Sequence, residues 1–125
     1  MEHPGLHSPP RPTEIRFRKA DKVLDIAFDN GSSFAYPAEL LRVESPSAEV
    51  QGHGPGQKQI VAGRRHVSIL EIEPVGHYAI RLIFDDLHDT GIFSWTYLLE
   101  LGAHRDARWK AYLNALDDNG LSRDP

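Results

Sequence analysis

The sequence of 125 residues predicts a single α+β domain. We expect a mainly antiparallel sheet built from two hairpins, one short helix in the middle of the chain and two helices near its C-terminal end. Apolar residues alternate at every second position in the first and middle parts of the chain, and turn sequences separate these runs. Helical spacing of three and four residues appears only near the end. Strands followed by helices are typical of the α+β class.

The first predicted hairpin follows a short alternating strand at residues 15–18. Residues 23–28 place leucine, isoleucine and phenylalanine at every second position, which predicts a strand with one buried face. The sequence Asp-Asn-Gly at 29–31 tolerates positive φ angles, so it predicts a tight turn into a strand at 33–36.

A short helix and a long loop are predicted next. Pro37 can open a helix because its missing N–H is not needed in the first turn, and the helical pattern extends over 38–43. Residues 44–63 contain little apolar sequence. Loops longer than about 12–15 residues are uncommon and usually functional or disordered. This segment is therefore either a mobile flap or an ordered binding loop.

The second hairpin is predicted from two further alternating runs. Residues 66–73 and 78–84 are the strands, and residues 74–77 (Pro-Val-Gly-His) are the turn between them. A polar turn at 85–91 leads to a short strand at 92–93.

Two helices are predicted at the C-terminal end. Ser94 is a suitable N-cap for a helix over 95–101, and Gly102 is placed where that helix is expected to stop. Asp106 is the predicted cap of the last helix, which Gly120 ends. The resulting organisation is a flexible proline-rich tail at 1–14, a domain at 15–119 and a polar tail at 120–125.

Composition excludes several classes of protein. The chain has no cysteine, so disulfides, thiolate metal sites and a cysteine nucleophile are excluded, and a cytoplasmic location is expected. It has 14 Lys+Arg against 18 Asp+Glu, a net charge of −4, which argues against broad nucleic-acid binding. No segment approaches the roughly 20 apolar residues that cross a bilayer, so no membrane association is expected.

The residues best suited to metal binding lie in the acidic turn. Asp85, Asp86, His88 and Asp89 fall within five positions, and carboxylate oxygens with a neutral imidazole suit iron, manganese or zinc. The alternative is that the aspartates form Asx-type turns and solvate the loop. His53, between two glycines of the long loop, is a further candidate ligand, unless that stretch is only a flexible loop.

No catalytic motif is recognisable in the sequence. A Gly-x-Ser-x-Gly elbow is missing, and no sequence pattern indicates a Ser-His-Asp arrangement. We therefore expect a protein that is not an enzyme.

Three stretches carry a resemblance to a known family: residues 41–50, 72–80 and 84–98. The last contains the order His-Asp-x-Gly-Ile-aromatic-Ser-Trp. Together they resemble small bacterial proteins similar to the N-terminal domain of gamma-butyrobetaine hydroxylase, a domain of unknown function, and the resemblance spans about 15–102. It implies an accessory domain rather than a catalytic one.

The resemblance also implies where a metal would lie. In the hydroxylase, this domain holds a structural zinc through three cysteines and one histidine. That histidine matches His88, and the cysteines match Ser45, Ser47 and Val50. The resemblance therefore transfers one zinc ligand of the four.

Two functions follow as hypotheses. The first is a non-catalytic accessory domain that binds a metal ion, iron or zinc, and is linked to iron or iron–sulfur protein metabolism. Its candidate ligands are His88, Asp85, Asp86, Asp89 and His53. The alternative is a metal-free interaction module that docks on an unknown partner protein through its sheet face or the 44–63 loop. Either would be a monomer or a weak homo-oligomer.

Overall fold

The computed structural model describes residues 9–125 and confirms the α+β class. Within these residues the chain forms two three-stranded antiparallel sheets and four helices. The strands are β1 (Pro12–Arg18), β2 (Val23–Phe28), β3 (Ser33–Pro37), β4 (Ile69–Val75), β5 (Ala79–Phe84) and β6 (Gly91–Ser94). The helices are α1 (Ala38–Val43), α2 (Ala48–Gln51), α3 (Trp95–Ala103) and α4 (Arg105–Asp118).

The first sheet has the order β1-β2-β3 and contains the predicted hairpin. Gly31 in its turn has φ of 86°, a conformation that glycine adopts without steric cost. β1 begins at Pro12, three residues before the predicted start, because the end of β2 offers hydrogen-bond partners to this segment. The N–H of Asp29 donates to the carbonyl of Arg11 at 2.9 Å. The predicted tail at 1–14 is thus partly strand, and its residues 1–8 lie outside the described part.

The second sheet has the order β4-β5-β6. The alternate residues Ile80, Leu82 and Phe84 of β5 are buried against the core, as expected for a half-covered strand. Pro74 lies within β4 rather than in the predicted turn. β4 is an edge strand, where a missing N–H costs little. A register shift near the start of β4 leaves Leu70 exposed.

The helices close the apolar core. The Ser94 hydroxyl caps α3 as predicted and accepts from the N–H of Tyr97 at 3.1 Å. Gly102 is not the end of α3 but part of it. A Cβ at this glycine would lie 2.5 Å from Cγ of Phe34, so glycine lets that ring pack against the helix. Tertiary packing therefore requires glycine here, and a helix-stop rule misses this because it considers only local sequence.

The last helix begins one residue before the predicted cap. His104 is its N-cap and Asp106 lies in its first turn, where a carboxylate favours the positive end of the helix dipole. The polar tail at 120–125 folds back on the domain. The Arg123 guanidinium pairs with Glu39 at 2.6 Å and lies 5.0 Å from the Trp109 ring centroid.

The 44–63 segment contains α2, which sequence patterning did not predict. α2 is only four residues long, too short to show a helical period. Its Val50 is buried, and the Val50 carbonyl accepts from the N–H of Gln59 at 2.6 Å. Glu44, also buried, forms an ion pair with Lys58. In residues 9–125, no helix has both the length and the apolar character that a membrane span requires.

Candidate functional site

The candidate site is a hydrogen-bonded chain of three side chains centred on the buried His88. His88 is 5% exposed. Its Nδ1 lies 2.9 Å from Oε2 of Glu49, and its Nε2 lies 2.9 Å from Oγ of Ser45. Ser45 precedes α2, Glu49 lies in α2 and His88 follows β5. The chain therefore ties the 44–51 segment to the turn between β5 and β6.

The local fold of the β5–β6 turn holds His88 in place. The N–H of Phe84 donates to the carbonyl of His88 at 3.0 Å, and this bond closes the turn. The N–H of His88 donates to Oδ1 of Asp86 at 3.1 Å. The rings of Phe84 and His88 have centroids 6.0 Å apart. Backbone and side chain of His88 are thus both fixed.

A further side-chain hydrogen bond joins the 44–51 segment to the β5–β6 turn. Ser47 caps α2, and its hydroxyl accepts from the N–H of Glu49 at 3.2 Å. The same Oγ lies 2.6 Å from Oγ1 of Thr90, so the two hydroxyls share a hydrogen bond. Ser45 and Ser47 therefore both bind the turn that follows β5.

Both ring nitrogens of His88 are engaged in hydrogen bonds. One tautomer completes every bond: Nδ1–H donates to the Glu49 carboxylate, and Nε2 accepts from the Ser45 hydroxyl. The order serine–histidine–carboxylate is that of a hydrolase triad. Its burial is reversed, since the Ser45 residue is 0% exposed and the Glu49 side chain is 61% exposed. A nucleophile has to reach its substrate, so the buried Ser45 hydroxyl is not placed to act as one. Sequence reasoning missed it because its members lie 39 and 43 positions apart.

Asp86 is occupied by two arginines. Its Oδ2 accepts from Nε of Arg42 at 2.6 Å and from Nε of Arg64 at 2.7 Å. Burial raises the pKa of the Asp86 carboxyl, but the N–H of His88 and both guanidiniums lower that pKa more, so it lies below its ordinary value. The Arg42 side chain is 10% exposed, and its buried Nη1 has no hydrogen-bond partner in residues 9–125. Local charge therefore disfavours a cation at Asp86.

The other predicted ligands are not assembled with His88. Asp85 is exposed and accepts from the N–H of Ser68 at 3.0 Å, and Asp89 is exposed at the end of the turn. His53 is exposed in the long loop, where its N–H donates to the side chain of Gln57 at 3.0 Å. In the described range 9–125, no group of three or more histidine, aspartate or glutamate side chains is arranged to hold a metal ion.

The residues at the positions implied for zinc do not fit a zinc ion. Ser45 and Ser47 do lie at the His88 turn, as the resemblance implies. Their neutral hydroxyls are poor substitutes for thiolates, and Val50 offers no ligand atom. The Ser45 hydroxyl is also hydrogen-bonded to Nε2, the ring nitrogen on that side of His88. Hydrogen bonds thus occupy the place that the resemblance implies for the metal.

Gly91 is required for this arrangement. A Cβ at Gly91 would lie 2.5 Å from Oγ of Ser45 and 2.9 Å from Cε1 of Phe93. We expect Gly91→Ala to push Ser45 away from His88 and to lower the free energy of unfolding by about 2 kcal/mol, the middle of the range for overpacking. Urea denaturation followed by circular dichroism measures this.

Two variants control the Gly91→Ala measurement. Gly54→Ala adds a Cβ with no atom within 4 Å, and we expect it to be neutral. In a Ser45→Ala background, the cost of Gly91→Ala should shrink, because the closest contact is gone. Equal costs in both backgrounds would contradict the proposed clash.

Comparisons with known proteins give a family match and similar solved structures. The model of the family described as gamma-butyrobetaine hydroxylase-like, N-terminal, matches residues 15–99. One NMR solution structure of a protein is 45% identical, with 94% of this chain and 93% of that chain covered and a TM-score of 0.82. A second NMR solution structure is 42% identical, with 96% and 89% covered and a TM-score of 0.82.

A crystal structure extends the comparison. It is of a protein of unknown function from Acidithiobacillus ferrooxidans that belongs to the DUF971 family. It is 43% identical, with 77% of this chain and 99% of that chain covered and a TM-score of 0.65. Among curated proteins, none matches the chain. Because the family model covers more than half of the sequence, the chain belongs to the gamma-butyrobetaine hydroxylase-like, N-terminal family.

Proposed function

We propose that this chain is a non-catalytic accessory domain that acts by binding a partner protein and needs no metal ion at His88. The observation that carries the proposal is the closed chain Ser45–His88–Glu49. Both ring nitrogens of the histidine are engaged at 2.9 Å. A metal ligand needs a free ring nitrogen, and a general base needs one that faces substrate. This histidine offers neither.

The donor set weighs against iron or zinc at the predicted site. Asp86 is neutralised by Arg42 and Arg64, and a metal ion would have to displace both guanidiniums. A cation placed there would also add positive charge next to Arg42, whose buried Nη1 has no hydrogen-bond partner among the described residues. A role in iron or iron–sulfur metabolism would then come through a partner, without iron at this turn. Iron or zinc bound at His88 is the rival hypothesis, and the experiment below decides between them.

Partner binding is supported by apolar side chains that the fold leaves in solvent. Large exposed apolar residues in the described part are Ile60, Leu70, Tyr78, Leu87, Ile92, Leu113 and Leu121. Four of these (Leu70, Tyr78, Leu87 and Ile92) belong to the second sheet and its turns. Exposed apolar groups that a domain does not bury itself are candidates for burial in an interface. The sheet side is therefore favoured over the 44–63 loop, which contributes Ile60 alone.

Metal analysis tests the proposal. Protein purified without chelators, with His88→Gln as the comparison, is measured for zinc and iron by elemental analysis. We expect far less than one metal ion per chain in both proteins, and a melting temperature that EDTA leaves unchanged. Stoichiometric zinc or iron that His88→Gln removes would contradict the proposal. A fall in melting temperature on adding EDTA would contradict it as well, since a metal ion bound only to the native state stabilises that state.

A designed variant provides the positive control. Ser45→Cys, Ser47→Cys and Val50→Cys together supply the three cysteines that the resemblance implies as zinc ligands with His88. This triple variant should bind zinc or cobalt, and cobalt would show the absorption of a tetrahedral thiolate site. Metal in the triple variant with none in the natural chain would show that ligand identity, not the fold, makes the difference.

A further inference from the structure

Leu87 is placed in solvent at the tip of the β5–β6 turn. It is 81% exposed, the highest value among the large apolar residues in the described part of the chain. Its φ angle is 73°, in the left-handed region that favours glycine and asparagine. Leucine is therefore unfavourable here on two counts, conformation and hydration. A turn that only had to close would be better served by Gly or Asn.

Hydrogen bonds and ion pairs of the turn fix the backbone of Leu87 in that position. The residues on either side are both anchored: Asp86 binds two arginines, and His88 binds Ser45 and Glu49. The N–H of Leu87 itself donates to the carbonyl of Phe84 at 3.0 Å. The leucine cannot turn inward without breaking these bonds. An apolar residue whose backbone is already fixed loses less freedom on binding than one on a mobile loop.

A second exposed leucine lies at the same end of the sheet. Leu70 is 61% exposed and follows Ile69, whose strand partner is Phe84, the last residue of β5. The β5–β6 turn begins directly after Phe84. The register thus places Leu70 and Leu87, the two most exposed large apolar residues of the described chain, at one end of the second sheet. We call this pair the apolar tip.

The surroundings of the apolar tip are acidic. Asp85 and Asp89 lie two positions on either side of Leu87, and both are exposed. Glu71 follows Leu70 and is also exposed. The nearby cations are taken, because Arg42 and Arg64 pair with Asp86 and Arg81 pairs with Glu73. A partner would therefore need positive charge around the place that receives the leucines.

We propose that the apolar tip is the docking surface for a partner protein with an apolar pocket rimmed by lysine or arginine side chains. The inference rests on the proposed function and narrows the interface to Leu87 and Leu70. The broader sheet face then contributes less to binding than this one end. Leu87 is the residue expected to enter the pocket, since it is the more exposed of the two and its backbone N–H is hydrogen-bonded within the turn.

Stability measurements test whether Leu87 is dispensable for the fold. Leu87→Asn and Leu87→Gly replace leucine at a left-handed position by residues that adopt it readily. We expect the midpoint of thermal unfolding to stay constant or to rise in Leu87→Asn. A fall of several degrees in both variants would show that Leu87 stabilises the fold, and would overturn the proposal.

Crosslinking and affinity measurements test whether Leu87 contacts a partner protein. A photo-crosslinking amino acid replaces Leu87 in cells that express the chain. Two control proteins carry it instead at Tyr78, at the other end of the second sheet, or at Leu113 on α4. A protein captured at 87 is purified, and its affinity for the chain is measured. We expect Leu87→Asn to weaken that affinity at least tenfold, Leu113→Asn to leave it unchanged, and added salt to weaken it.

The outcomes separate the inference from the proposed function. A protein that is captured at 78 or 113 but not at 87, and binds when purified, would overturn the apolar tip and keep the accessory-domain proposal. No capture at any of the three positions would count against both. An affinity that Leu87→Asn does not change would overturn the apolar tip alone.

Discussion

Replacement of Asp86 by asparagine should lower the free energy of unfolding by about 3 kcal/mol, the lower end of the range for breaking a buried charge pair. The substitution keeps the shape of the side chain but removes its charge. Arg42, whose side chain is 10% exposed, would then lose the carboxylate that neutralises it. Arg64 would lose the same partner. Urea denaturation at neutral pH measures the change.

Asp89→Asn is the matched control for this prediction. It removes a carboxylate from the same turn, but Asp89 is exposed and its side chain is part of no ion pair within residues 9–125. We expect a change within about 0.5 kcal/mol, as for ordinary surface substitutions. Equal effects of Asp86→Asn and Asp89→Asn would contradict the role given to Asp86.

The Asp86 contribution should also depend on pH. Its pKa is lowered in the folded protein from an ordinary value of 3.8. The unfolded chain therefore takes up a proton first as the pH falls. The stabilisation by Asp86 is complete well above that ordinary pKa and decreases as the pH falls below about 4. The difference in stability between the natural chain and Asp86→Asn should thus be constant near neutrality and narrow in acid.

His88→Ala is expected to have the second large effect, a loss of about 3 kcal/mol. The substitution creates a cavity and leaves the buried Ser45 hydroxyl without its histidine partner. It also removes the Glu49 bond between α2 and the turn and leaves the Ser47–Thr90 bond as the remaining side-chain link described above. Compared with the natural chain, amide hydrogen exchange in His88→Ala should accelerate more at residues 45–51 than in β2. Urea denaturation should show the lower global stability.

A double-mutant cycle with Ser45→Ala identifies the source of the His88 effect. If the hydrogen bond matters, the double variant costs less than the sum of the two single variants, by about 0.5–3 kcal/mol for groups in one network. Strict additivity would mean that His88 stabilises the fold through its ring packing against Phe84 alone.

Local sequence patterning predicts the strands and long helices because each has its own period or turn residue. The alternation in β2, the glycine after it and the Ser94 cap act within a few residues, and all three are found. Patterning failed at Gly102 and at Pro74, where neighbouring elements decide. A ring from β3 packs against Gly102, and an edge position tolerates Pro74.

In the candidate site, too, some residues could be predicted from the sequence and others could not. His88 could be singled out from the sequence as a site residue, and the matched positions Ser45 and Ser47 do lie beside it. Glu49 and the two arginines on Asp86 carried no signal, since their partners are 22 to 44 positions away in sequence. Side-chain pairs at such separations follow from how α1, α2 and the second sheet pack together.

By itself, the sequence determined the α+β class, the order of strands and helices, the absence of cysteine chemistry and the family resemblance. These depend on residue types and on short-range periodicity, which a chain displays before it folds. Only the tertiary structure decided what His88 binds, that Asp86 is neutralised, and that Leu87 is held in solvent. The first two depend on which distant groups meet in the low-dielectric interior, where an unpaired polar group is costly. The position of Leu87 follows from them, because its neighbours Asp86 and His88 are held by those long-range bonds.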